Sequence, residues 1–431
     1  MNVTIRRGSS IRGEMAVPAD KAIGHRAALC CALVEGVSEI SPWPSGDDCQ
    51  RTLGALQGLG VASDRLPHGI RVHGVGLSGL QPPRSDLDCG ESGTTIRLAA
   101  GLLAGQPFES RLTASASLCQ RPMRRIAEPL TQMGARIVGA SNAELHPPLH
   151  ITGRRPLRAL RYSMPIASAQ VKSAILLAGL SADGPTTISE PYPTRDHTER
   201  LFQRLGIDLH CEQATLTLKP PRKALHPPGR LLIPGDVSSA AFFIVAATMT
   251  PDSVLIIRDV GLNPTRSAFL TVLRRMGASL EVSVEEEAWE PRGTIRVVSA
   301  PLHGTTITAH EVPQLIDELP ILMVAACAAQ GATTFEGLEE LRVKETDRLH
   351  SMTTGLRQLG AQITPDGQAG VKVAGGSLRG NSVESFNDHR TAMSLAVAGL
   401  IAEGETTIQG AECARKSFGE FFEVLASVRR G

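Results

Sequence analysis

FNDHRTAMSLAVAGLIAEGETTI, residues 386–408, contains the pattern that decides the fold. Three ionisable residues, Asp388, His389 and Arg390, come directly before a run of small apolar side chains, and a glycine and Thr-Thr-Ile follow. A helix that is apolar all round is buried, and Thr and Ile are favoured in strands. The stretch therefore predicts a polar turn, a buried helix, a second turn and a strand, with ionisable groups at the start of the helix.

The same pattern occurs six times along the chain. Each copy opens with a short extended stretch and a polar cluster, and continues as an Ala- and Leu-rich run. Most copies then break at Gly or Pro. The copies recur roughly every 60 to 80 residues, which is too long for a common solenoid. We therefore expect one larger supersecondary unit used six times. The other copies are MAVPADKAIGHRAALCCALVEGVSEI (15–40), LDCGESGTTIRLAAGLLAGQPFESRLTA (87–114), MPIASAQVKSAILLAGLSADGPTTI (164–188), LLIPGDVSSAAFFIVAATMTPDSVLII (231–257) and VPQLIDELPILMVAACAAQGATTFEG (312–337).

Length and composition indicate how these units are arranged. A chain of 431 residues suggests two or three domains. It is 42% hydrophobic but only 3% aromatic, so its core must be mainly aliphatic. Small side chains let buried helices pack closely together, with sheets outside them. We expect an α/β protein of two domains, each with three units.

Charge and cysteine usage exclude several classes of protein. The formal charge is +1, from 44 basic and 43 acidic residues, whereas a general binder of nucleic acid or anionic membranes carries a large basic excess. The eight cysteines include no C-x-x-C pair, which predicts free buried thiols in a reducing compartment.

The start, MNVTIRRGSSIRGEM, lacks the apolar core of a signal peptide. Apolar runs such as 391–402 fall short of the ~18 residues of a membrane span. We expect a soluble cytoplasmic protein.

The polar clusters at the helix starts have two interpretations. The first backbone N–H groups of a helix lack partners and the helix dipole is positive there, so a helix start can bind an anion. Alternatively the clusters only cap the helices, as Asp236, Ser168 and Asp317 could. Several clusters carry Lys, Arg, His and Gln, which are poor caps and favour the anion. We therefore expect Arg390 to meet an anion at a helix start.

Eight basic residues are candidates for binding anions in one cleft. Two phosphorylated carboxylic acids would together carry roughly five to six negative charges, because a phosphate monoester carries about −1.5 to −2. Arg offers a planar fork for carboxylate or phosphate, and Lys a point charge. A surface ion pair remains the alternative for any one of them. The candidates are Lys21, Arg26, Arg121, Arg195, Lys344, Arg348, Arg390 and Lys416.

In this combination the motifs resemble those of the 5-enolpyruvylshikimate-3-phosphate (EPSP) synthases, a family of enolpyruvyl transferases. The resemblance runs in family order from residue 18 to 422, and the conjunction of motifs is far more specific than any one of them. The matching stretches are PADKAIGHRA, GESGTTIRL, RPMRRIAEPLTQMGA, SAQVKSAILLAGL, TRDHTERL, PGDVSSAAFF, DELPIL, LRVKETDRL, NDHRTAMSLAVAGL and KSFGEFF.

The resemblance implies a two-domain enolpyruvyl transferase-like fold, each domain having three βαβαββ units around buried parallel helices. It implies a discontinuous C-terminal-half domain, 1–19 plus 230–431, an N-terminal-half domain, 20–229, and an active site in the cleft between them. The implied reaction joins phosphoenolpyruvate to the 5-hydroxyl of shikimate-3-phosphate and releases phosphate, in the pathway to chorismate and aromatic amino acids. A monomer is implied, with no metal and no organic cofactor.

The site residues carry over position by position. Asp317 and Glu345 match the acid–base pair, with Lys21 as the third catalytic residue. The phosphoenolpyruvate site is matched by Lys21, Gly93, Arg121, Gln170, Arg348, Arg390 and Lys416. The shikimate-3-phosphate site is matched by Lys21, Ala22, Arg26, Ser168, Ala169, Gln170, Arg195, Asp317 and Lys344.

Four positions depart from the family pattern. Ala22 and Gly24 stand where Ser is usual, Glu91 stands for Asn, and Gly419 stands for Pro. Ala22 removes a hydroxyl donor, and Glu91 adds a negative charge near the expected donor phosphate. Both changes bear on affinity, and they leave open an acceptor alcohol related to shikimate-3-phosphate.

Two alternatives share parts of this pattern. The enolpyruvyl transferase that acts on UDP-N-acetylglucosamine has the same fold and donor and carries a Cys in a loop, but the stretch around Cys119 matches the shikimate enzymes' Arg-Pro motif. A non-catalytic protein that binds phosphorylated metabolites would be expected to lose Lys21, Asp317 and Glu345 first, and all three are present.

Overall fold

The computed structural model describes residues 1–8, 10–140 and 145–430. These residues form two compact units: the C-unit, made of Met1–Pro18 and Pro234–Gly431, and the N-unit, Ala19–Ile233. No helix among the residues described is long and apolar enough to cross a membrane.

The strands are short and, within the described ranges, lie in six sheets. In chain order they are β1 (Asn2–Arg6), β2 (Ser10–Ala16), β3 (Glu35–Ser41), β4 (Ala62–Leu66), β5 (Gly69–Val75), β6 (Leu87–Asp88), β7 (Glu109–Thr113), β8 (Arg136–Val138), β9 (Leu149–Thr152), β10 (Arg161–Ser163), β11 (Thr186–Ser189), β12 (Leu209–Glu212), β13 (Thr215–Leu218), β14 (Arg230–Leu232), β15 (Val254–Gly261), β16 (Ser279–Glu286), β17 (Arg292–Val298), β18 (Thr306–Ile307), β19 (Ala332–Phe335), β20 (Gln362–Asp366), β21 (Gly370–Ala374), β22 (Ser382–Glu384), β23 (Glu405–Gln409) and β24 (Arg429–Arg430).

The helices are of two kinds, apolar helices buried on all sides and helices that bury one face. In chain order they are α1 (Lys21–Ala32), α2 (Asp47–Gly58), α3 (Gly93–Ala104), α4 (Arg124–Gln132), α5 (Ala169–Gly179), α6 (His197–Arg204), α7 (Val237–Met249), α8 (Ala268–Arg275), α9 (Val312–Leu315), α10 (Leu319–Ala328), α11 (Arg348–Gln358), α12 (His389–Gly399) and α13 (Phe421–Val428). Short 3₁₀ helices cover Leu118–Gln120, Glu339–Val343 and Ala411–Lys416.

The N-unit contains three sheets of the same topology. Their strand orders are β14-β3-β5-β4, β6-β7-β9-β8 and β10-β11-β13-β12. In each sheet the first two strands are parallel and the others antiparallel. A buried helix connects the parallel strands in the second and third sheets. In the first sheet, β3 pairs instead with β14, a segment that comes after all the other strands of the unit in sequence.

The C-unit repeats this order in β18-β19-β21-β20 and extends it in β16-β17-β15-β2-β24. The N-terminal strand β2 lies parallel to β15, so the start of the chain supplies the first strand of the fourth repeat. The sixth repeat differs. Its sheet has the order β1-β23-β22, because β1 takes the place beside β23, and β24 pairs with β2 of another sheet. The six predicted copies and the α/β class are confirmed, but the sixth copy is not a complete βαβαββ unit.

The predicted buried helices are α1, α3, α5, α7, α10 and α12, one for each copy. Almost every side chain of α7 from Val237 to Thr248 is out of contact with solvent. The core is mainly aliphatic, but it also contains buried phenylalanines such as Phe202, Phe269 and Phe335, and aromatic rings of α7 pack against the C-terminal helix. The rings of Phe243 and Phe421 lie 5.4 Å apart, centroid to centroid.

The cysteines are free thiols, and burial raises the pKa of Cys89 and of Cys327 to about 12. The expectation that the thiols are buried is wrong for Cys119, which is half-buried, and for Cys211, which is exposed on the short strand β12.

Hydrogen bonds show which ends of the buried helices meet. In the C-unit, Ser238 at the start of α7 donates to Glu318, which directly precedes α10. Arg390 at the start of α12 donates to the carbonyl of Asp317 at 2.9 Å. In the N-unit, Gln170 of α5 donates to Thr94 of α3 at 3.0 Å. Each unit therefore gathers helix N-termini, with their polar clusters, in one place.

Candidate active site

Arg348 is the centre of the C-unit site. It opens α11 and is 1% exposed, and its guanidinium donates to three carboxylates. The Nε atom donates to Asp388 at 2.9 Å, one terminal nitrogen donates to Asp317 at 3.1 Å, and the other donates to Glu345. Burial opposes the charge of Arg348, but the carboxylates of Asp388, Glu345 and Asp317 outweigh burial and raise its pKa. Two predicted catalytic acids are thus brought together on one guanidinium.

Asp317 is not a helix cap. The N-cap of α10 is Glu318, one residue later. The carboxylate of Asp317 instead pairs with Arg348 and lies 3.3 Å from the Nε atom of Arg390. Its side chain is 18% exposed, so one part of the carboxylate remains open to solvent. The capping interpretation is therefore wrong for Asp317, whereas Ser168 and Asp236 do cap α5 and α7.

The start of α12 contains the ionisable residues of the stretch 386–408. Phe386 and Asn387 adopt φ angles of 53° and 55°, which turn the chain sharply before the helix. Asp388 then caps α12 by accepting from the backbone N–H groups of Arg390 and Thr391, at 2.8 and 3.0 Å. Its other oxygen holds Arg348. One carboxylate therefore both starts the helix and orients the guanidinium at the centre of the site.

Two lysines complete the C-unit site. Lys344 follows a 3₁₀ helix and is half-buried. Burial of its ammonium lowers its pKa; the carboxylate of Asp317 raises the pKa in part, and Arg348 lowers it further. Lys416 donates to the carbonyl oxygen of Asn387 at 2.9 Å, directly beside the start of α12. The C-unit therefore brings Lys344, Arg348 and Arg390 together with Asp317, Glu345 and Asp388.

In the N-unit, Lys21 opens α1. Asp20 caps this helix by accepting from the N–H groups of Ala22 and Ile23, at 2.7 and 3.2 Å. The ammonium of Lys21 lies 2.9 Å from a carboxylate oxygen of Asp48, in the first turn of α2, and both side chains are about one-fifth exposed. Lys21 is therefore held beside a carboxylate at the surface of the unit.

Arg26 lies one turn further along α1 and is buried. Its three nitrogens donate at 2.9 Å to the hydroxyls of Thr198 and Ser173 and to the carbonyl of Ala22. These bonds tie α1 to α6 and α5. Arg26 thus supports the helix that carries Lys21 and Ala22 and the helix that begins with Ala169 and Gln170.

The start of α3 is built around a glycine. Ser92 caps the helix, and a Cβ atom on Gly93 would lie 2.9 Å from a terminal nitrogen of Arg97 and 3.1 Å from one of Arg121. Arg97 donates to the side-chain oxygen of Gln170 at 2.8 Å. The absence of a side chain at Gly93 therefore lets two guanidiniums approach a helix N-terminus, which is a suitable place for an anion.

The remaining predicted residues lie at the start of α5 and in the loop before α6. Ser168, Ala169 and Gln170 are half-buried, as is Arg195. Behind them, the ammonium of Lys172 lies 2.7 Å from Glu190 and 2.6 Å from Glu199. Burial lowers the pKa of Lys172, but the two carboxylates outweigh burial and raise it. This buried ion network fixes the loop that carries Arg195.

The structure shows how much space a side chain would have at two of the four departures from the family pattern, Gly24 and Gly419. A Cβ atom on Gly24 would lie 2.6 Å from the ring of Pro44, so a serine would need the chain around Pro44 to move. Gly419 has open space, since its nearest neighbour would lie 4.0 Å away. Ala22 is half-buried at the start of α1, and Glu91 precedes the cap of α3 and is half-buried.

Sequence reasoning missed three residues that shape the site. Asp48 faces Lys21, Arg97 stands between Gly93 and Gln170, and Asp388 holds Arg348. Asp388 had a signal in the sequence, because an acidic residue directly before a buried helix is a good cap. Arg97 lies one helical turn after Gly93 within GESGTTIRL, so helix geometry could have indicated it, whereas Asp48 comes from α2 and only the fold brings it to Lys21.

The ligand chemistry of the site suits anions. Among the described residues no three His, Cys, Asp or Glu side chains are grouped so as to hold a metal ion. The stretch GVGLSG, residues 74–79, has the glycine spacing of a dinucleotide-binding turn, but its first two residues are the end of β5 and it continues into a turn and an irregular segment rather than a helix. The clustered Arg and Lys residues fit phosphate and carboxylate groups instead.

Comparison with known proteins agrees with this site. The family described as EPSP synthase (3-phosphoshikimate 1-carboxyvinyltransferase) matches residues 5–425. A 3-phosphoshikimate 1-carboxyvinyltransferase of Salinibacter ruber is 48% identical, covering 99% of both chains. One of Halorhodospira halophila is 46% identical, covering 100% of this chain and 96% of the relative. A solved structure of EPSP synthase from Acinetobacter baumannii superposes with a TM-score of 0.88 at 40% identity, covering 99% of this chain and 98% of that one. The resemblance stated from the motifs is confirmed, and the chain belongs to the EPSP synthase family.

Proposed function

We propose that the protein is a 3-phosphoshikimate 1-carboxyvinyltransferase, an enzyme of the shikimate pathway that leads to chorismate and the aromatic amino acids. It transfers the enolpyruvyl group of phosphoenolpyruvate to the 5-hydroxyl of shikimate-3-phosphate and releases phosphate. The observation that carries this assignment is the family match over residues 5–425. The pairing of Asp317 and Glu345 with Arg348 supports it, because the reaction needs positioned acids and bases beside a cation.

For phosphoenolpyruvate we assign the seven residues that match the family's donor site. Arg348 makes three hydrogen bonds to carboxylates of the described residues, which leaves one N–H on each terminal nitrogen for the carboxylate of the donor. Arg390 and Lys416 stand beside it at the start of α12. The N-unit supplies the helix start of α3. The proposed set is Lys21, Gly93, Arg121, Gln170, Arg348, Arg390 and Lys416.

For shikimate-3-phosphate we assign mainly the starts of α1 and α5. Ala169 can contribute only its backbone, whereas Ser168 and Gln170 offer side-chain donors on a half-buried surface. Asp317 and Lys344 from the C-unit complete the assignment. The proposed set is Lys21, Ala22, Arg26, Ser168, Ala169, Gln170, Arg195, Asp317 and Lys344.

The reaction proceeds by addition and elimination. The 5-hydroxyl oxygen bonds to C2 of phosphoenolpyruvate, its proton passes to Asp317, and C3 gains a proton and becomes a methyl group. The tetrahedral adduct then loses one methyl proton and phosphate, which gives the enolpyruvyl ether. Glu345 gives C3 its proton in the addition and takes one methyl proton in the elimination, and Lys21 is the cation beside the reacting groups. Because Arg348 holds both acids, a single guanidinium sets their spacing.

The test is phosphate release with both substrates present, with mass spectrometry of the product. We expect phosphate and the enolpyruvyl ether in equal amounts, and no phosphate when either substrate is left out. UDP-N-acetylglucosamine as the acceptor should give no phosphate, which distinguishes the cell-wall enolpyruvyl transferase. Tight binding of both substrates without phosphate release would favour a non-catalytic binding protein. We also propose that the protein acts as a monomer in the cytoplasm, which light scattering at assay concentration and cell fractionation would test.

A further inference from the structure

Glu318 lies next to Asp317 but faces a different part of the molecule. It occupies the N-cap position of α10, yet its side chain makes no capping bond to that helix. Instead its carboxylate accepts a hydrogen bond from the hydroxyl of Ser238, in the first turn of α7. Glu318 is 1% exposed and Ser238 is 1% exposed, so this bond is fully buried. The two neighbouring acidic residues therefore contact different parts of the unit: Asp317 faces the site, and Glu318 faces α7.

Ser238 is in turn held by an ion pair. Arg266 donates to the hydroxyl of Ser238 at 2.8 Å and to a carboxylate oxygen of Asp236 at 3.0 Å. Asp236 caps α7 by accepting from the backbone N–H of Ser238, also at 3.0 Å. All of these residues are at most 5% exposed. The start of α10 is thus joined through one buried network to the cap of α7.

Burying such a network costs free energy. Buried charges lose their hydration, and apolar side chains of similar volume often give equal or greater stability. A buried network of hydrogen bonds, however, restricts the arrangement of its members. Apolar attraction between α7 and α10 is non-directional, whereas the hydrogen bond from Ser238 to Glu318 joins one point in the first turn of α7 to the start of α10.

We infer that Glu318 is a positioning residue, which through Ser238 keeps Asp317 within hydrogen-bond reach of Arg348 and Arg390. The inference rests on the proposed function in one respect, because Asp317 is assigned the proton step by that proposal. Its structural part, the coupling of the start of α10 to the start of α7, does not depend on the reaction.

Ser238 and Ser239 offer a matched pair of variants. Both are buried in the first turn of α7, but Ser239 donates only to Asp236, at 3.2 Å, and has no bond to Glu318. We expect Ser238→Ala to lower kcat about tenfold, since misplacement of a reacting group by a fraction of an ångström is costly. KM for both substrates should stay within about twofold. Ser239→Ala should leave kcat and KM nearly unchanged, and Ser238→Thr, which keeps the hydroxyl, should recover most of kcat.

A second measurement does not need turnover. Amide hydrogen exchange of the peptide spanning α10 should be faster in Ser238→Ala than in Ser239→Ala, both in the absence of substrates. Glu318→Gln, which keeps an oxygen for Ser238, should resemble the wild type, and Glu318→Leu should resemble Ser238→Ala. Equal exchange and equal kcat in the two serine variants would overturn the inference. Absence of phosphate release by the wild-type protein would instead overturn the proposed function, and the exchange comparison would still decide the coupling.

Discussion

Adding one methyl group at Gly93 should weaken binding of phosphoenolpyruvate while leaving the chemical step largely intact. The Cβ atom of Gly93→Ala would lie 2.9 Å from Arg97 and 3.1 Å from Arg121, and ordinary contacts begin at 3.4 Å. The two terminal nitrogens must therefore retreat by about 0.5 and 0.3 Å, the differences from that limit. Both are ends of flexible side chains, so the fold can accommodate the methyl group, but the cations no longer converge on the start of α3.

The expected loss of affinity for phosphoenolpyruvate follows from the poorer geometry of a hydrogen bond to a charged group. A bond to a charged group contributes about 1.5–3 kcal/mol, and each ~1.4 kcal/mol is a factor of ten in affinity. We expect KM for phosphoenolpyruvate to rise about tenfold to a hundredfold, with kcat and KM for shikimate-3-phosphate within about threefold. The assay is initial-rate phosphate release with each substrate varied in turn. Gly54→Ala is the control, because a Cβ atom there meets nothing within 4 Å. An unchanged KM for phosphoenolpyruvate in an active Gly93→Ala enzyme would refute the convergence of the two guanidiniums on the donor.

The other predictions concern the proton step, pH and the departures from the family pattern. Asp317→Ala should lower kcat by about 10²–10⁴ with much smaller changes in KM, in the same assay; a collapse of affinity with kcat retained would make Asp317 a binding residue. Burial lowers the pKa of His25 from 6.5 to about 3, so the folded protein keeps it neutral while the unfolded chain takes up a proton below pH 6.5. The contribution of neutral His25 to the free energy of unfolding is therefore complete above pH 6.5 and is lost as the pH falls towards 3, by at most about 1.4 kcal/mol per pH unit. Urea denaturation between pH 7 and 4 should show that the free energy of unfolding falls less steeply for His25→Gln than for the wild type. Gly24→Ser should destabilise the fold by about 1–3 kcal/mol because its Cβ would meet the ring of Pro44, and an unchanged midpoint in urea would contradict this. Ala22→Ser should tighten shikimate-3-phosphate by about 0.5–1.5 kcal/mol, one hydrogen bond, and calorimetry that finds weaker binding would point to a different acceptor alcohol.

Much of the fold was predictable because the repeat is local. Each copy combines a polar cluster, a helix of small apolar residues and a strand that starts after Gly or Pro, and these signals depend only on neighbouring residues. The pairing of strands that lie far apart in the sequence was harder to predict. The three residues of β14 complete a sheet whose other strands lie far earlier in the chain, and β1 and β24 are divided between two sheets. Short segments of this kind carry too little pattern to reveal their partners.

Part of the candidate site could also be predicted from the sequence, and part of it could not. Arg390 could be predicted, because basic residues at the start of a buried apolar helix have few purely structural uses, whereas Arg348 starts α11, which buries one face, and was identified by the match of LRVKETDRL to the family's motifs. Their bonds could not be predicted from charge alone. Arg348 meets three carboxylates rather than open solvent, and Lys21 meets Asp48. The basic residues were identified from the charge of the expected substrates, whereas the carboxylates that hold them follow from tertiary packing.

Deuterium incorporation shows whether this site adds the acceptor hydroxyl across the double bond of phosphoenolpyruvate and then eliminates phosphate. The reaction would be run in D₂O with shikimate-3-phosphate and phosphoenolpyruvate, and the methylene group of the product would be examined by NMR and mass spectrometry. Because C3 becomes a methyl group in the adduct, the account predicts deuterium in the product methylene and one enolpyruvyl ether for each phosphate. Phosphate released without the ether, or an ether that carries no deuterium, would contradict it.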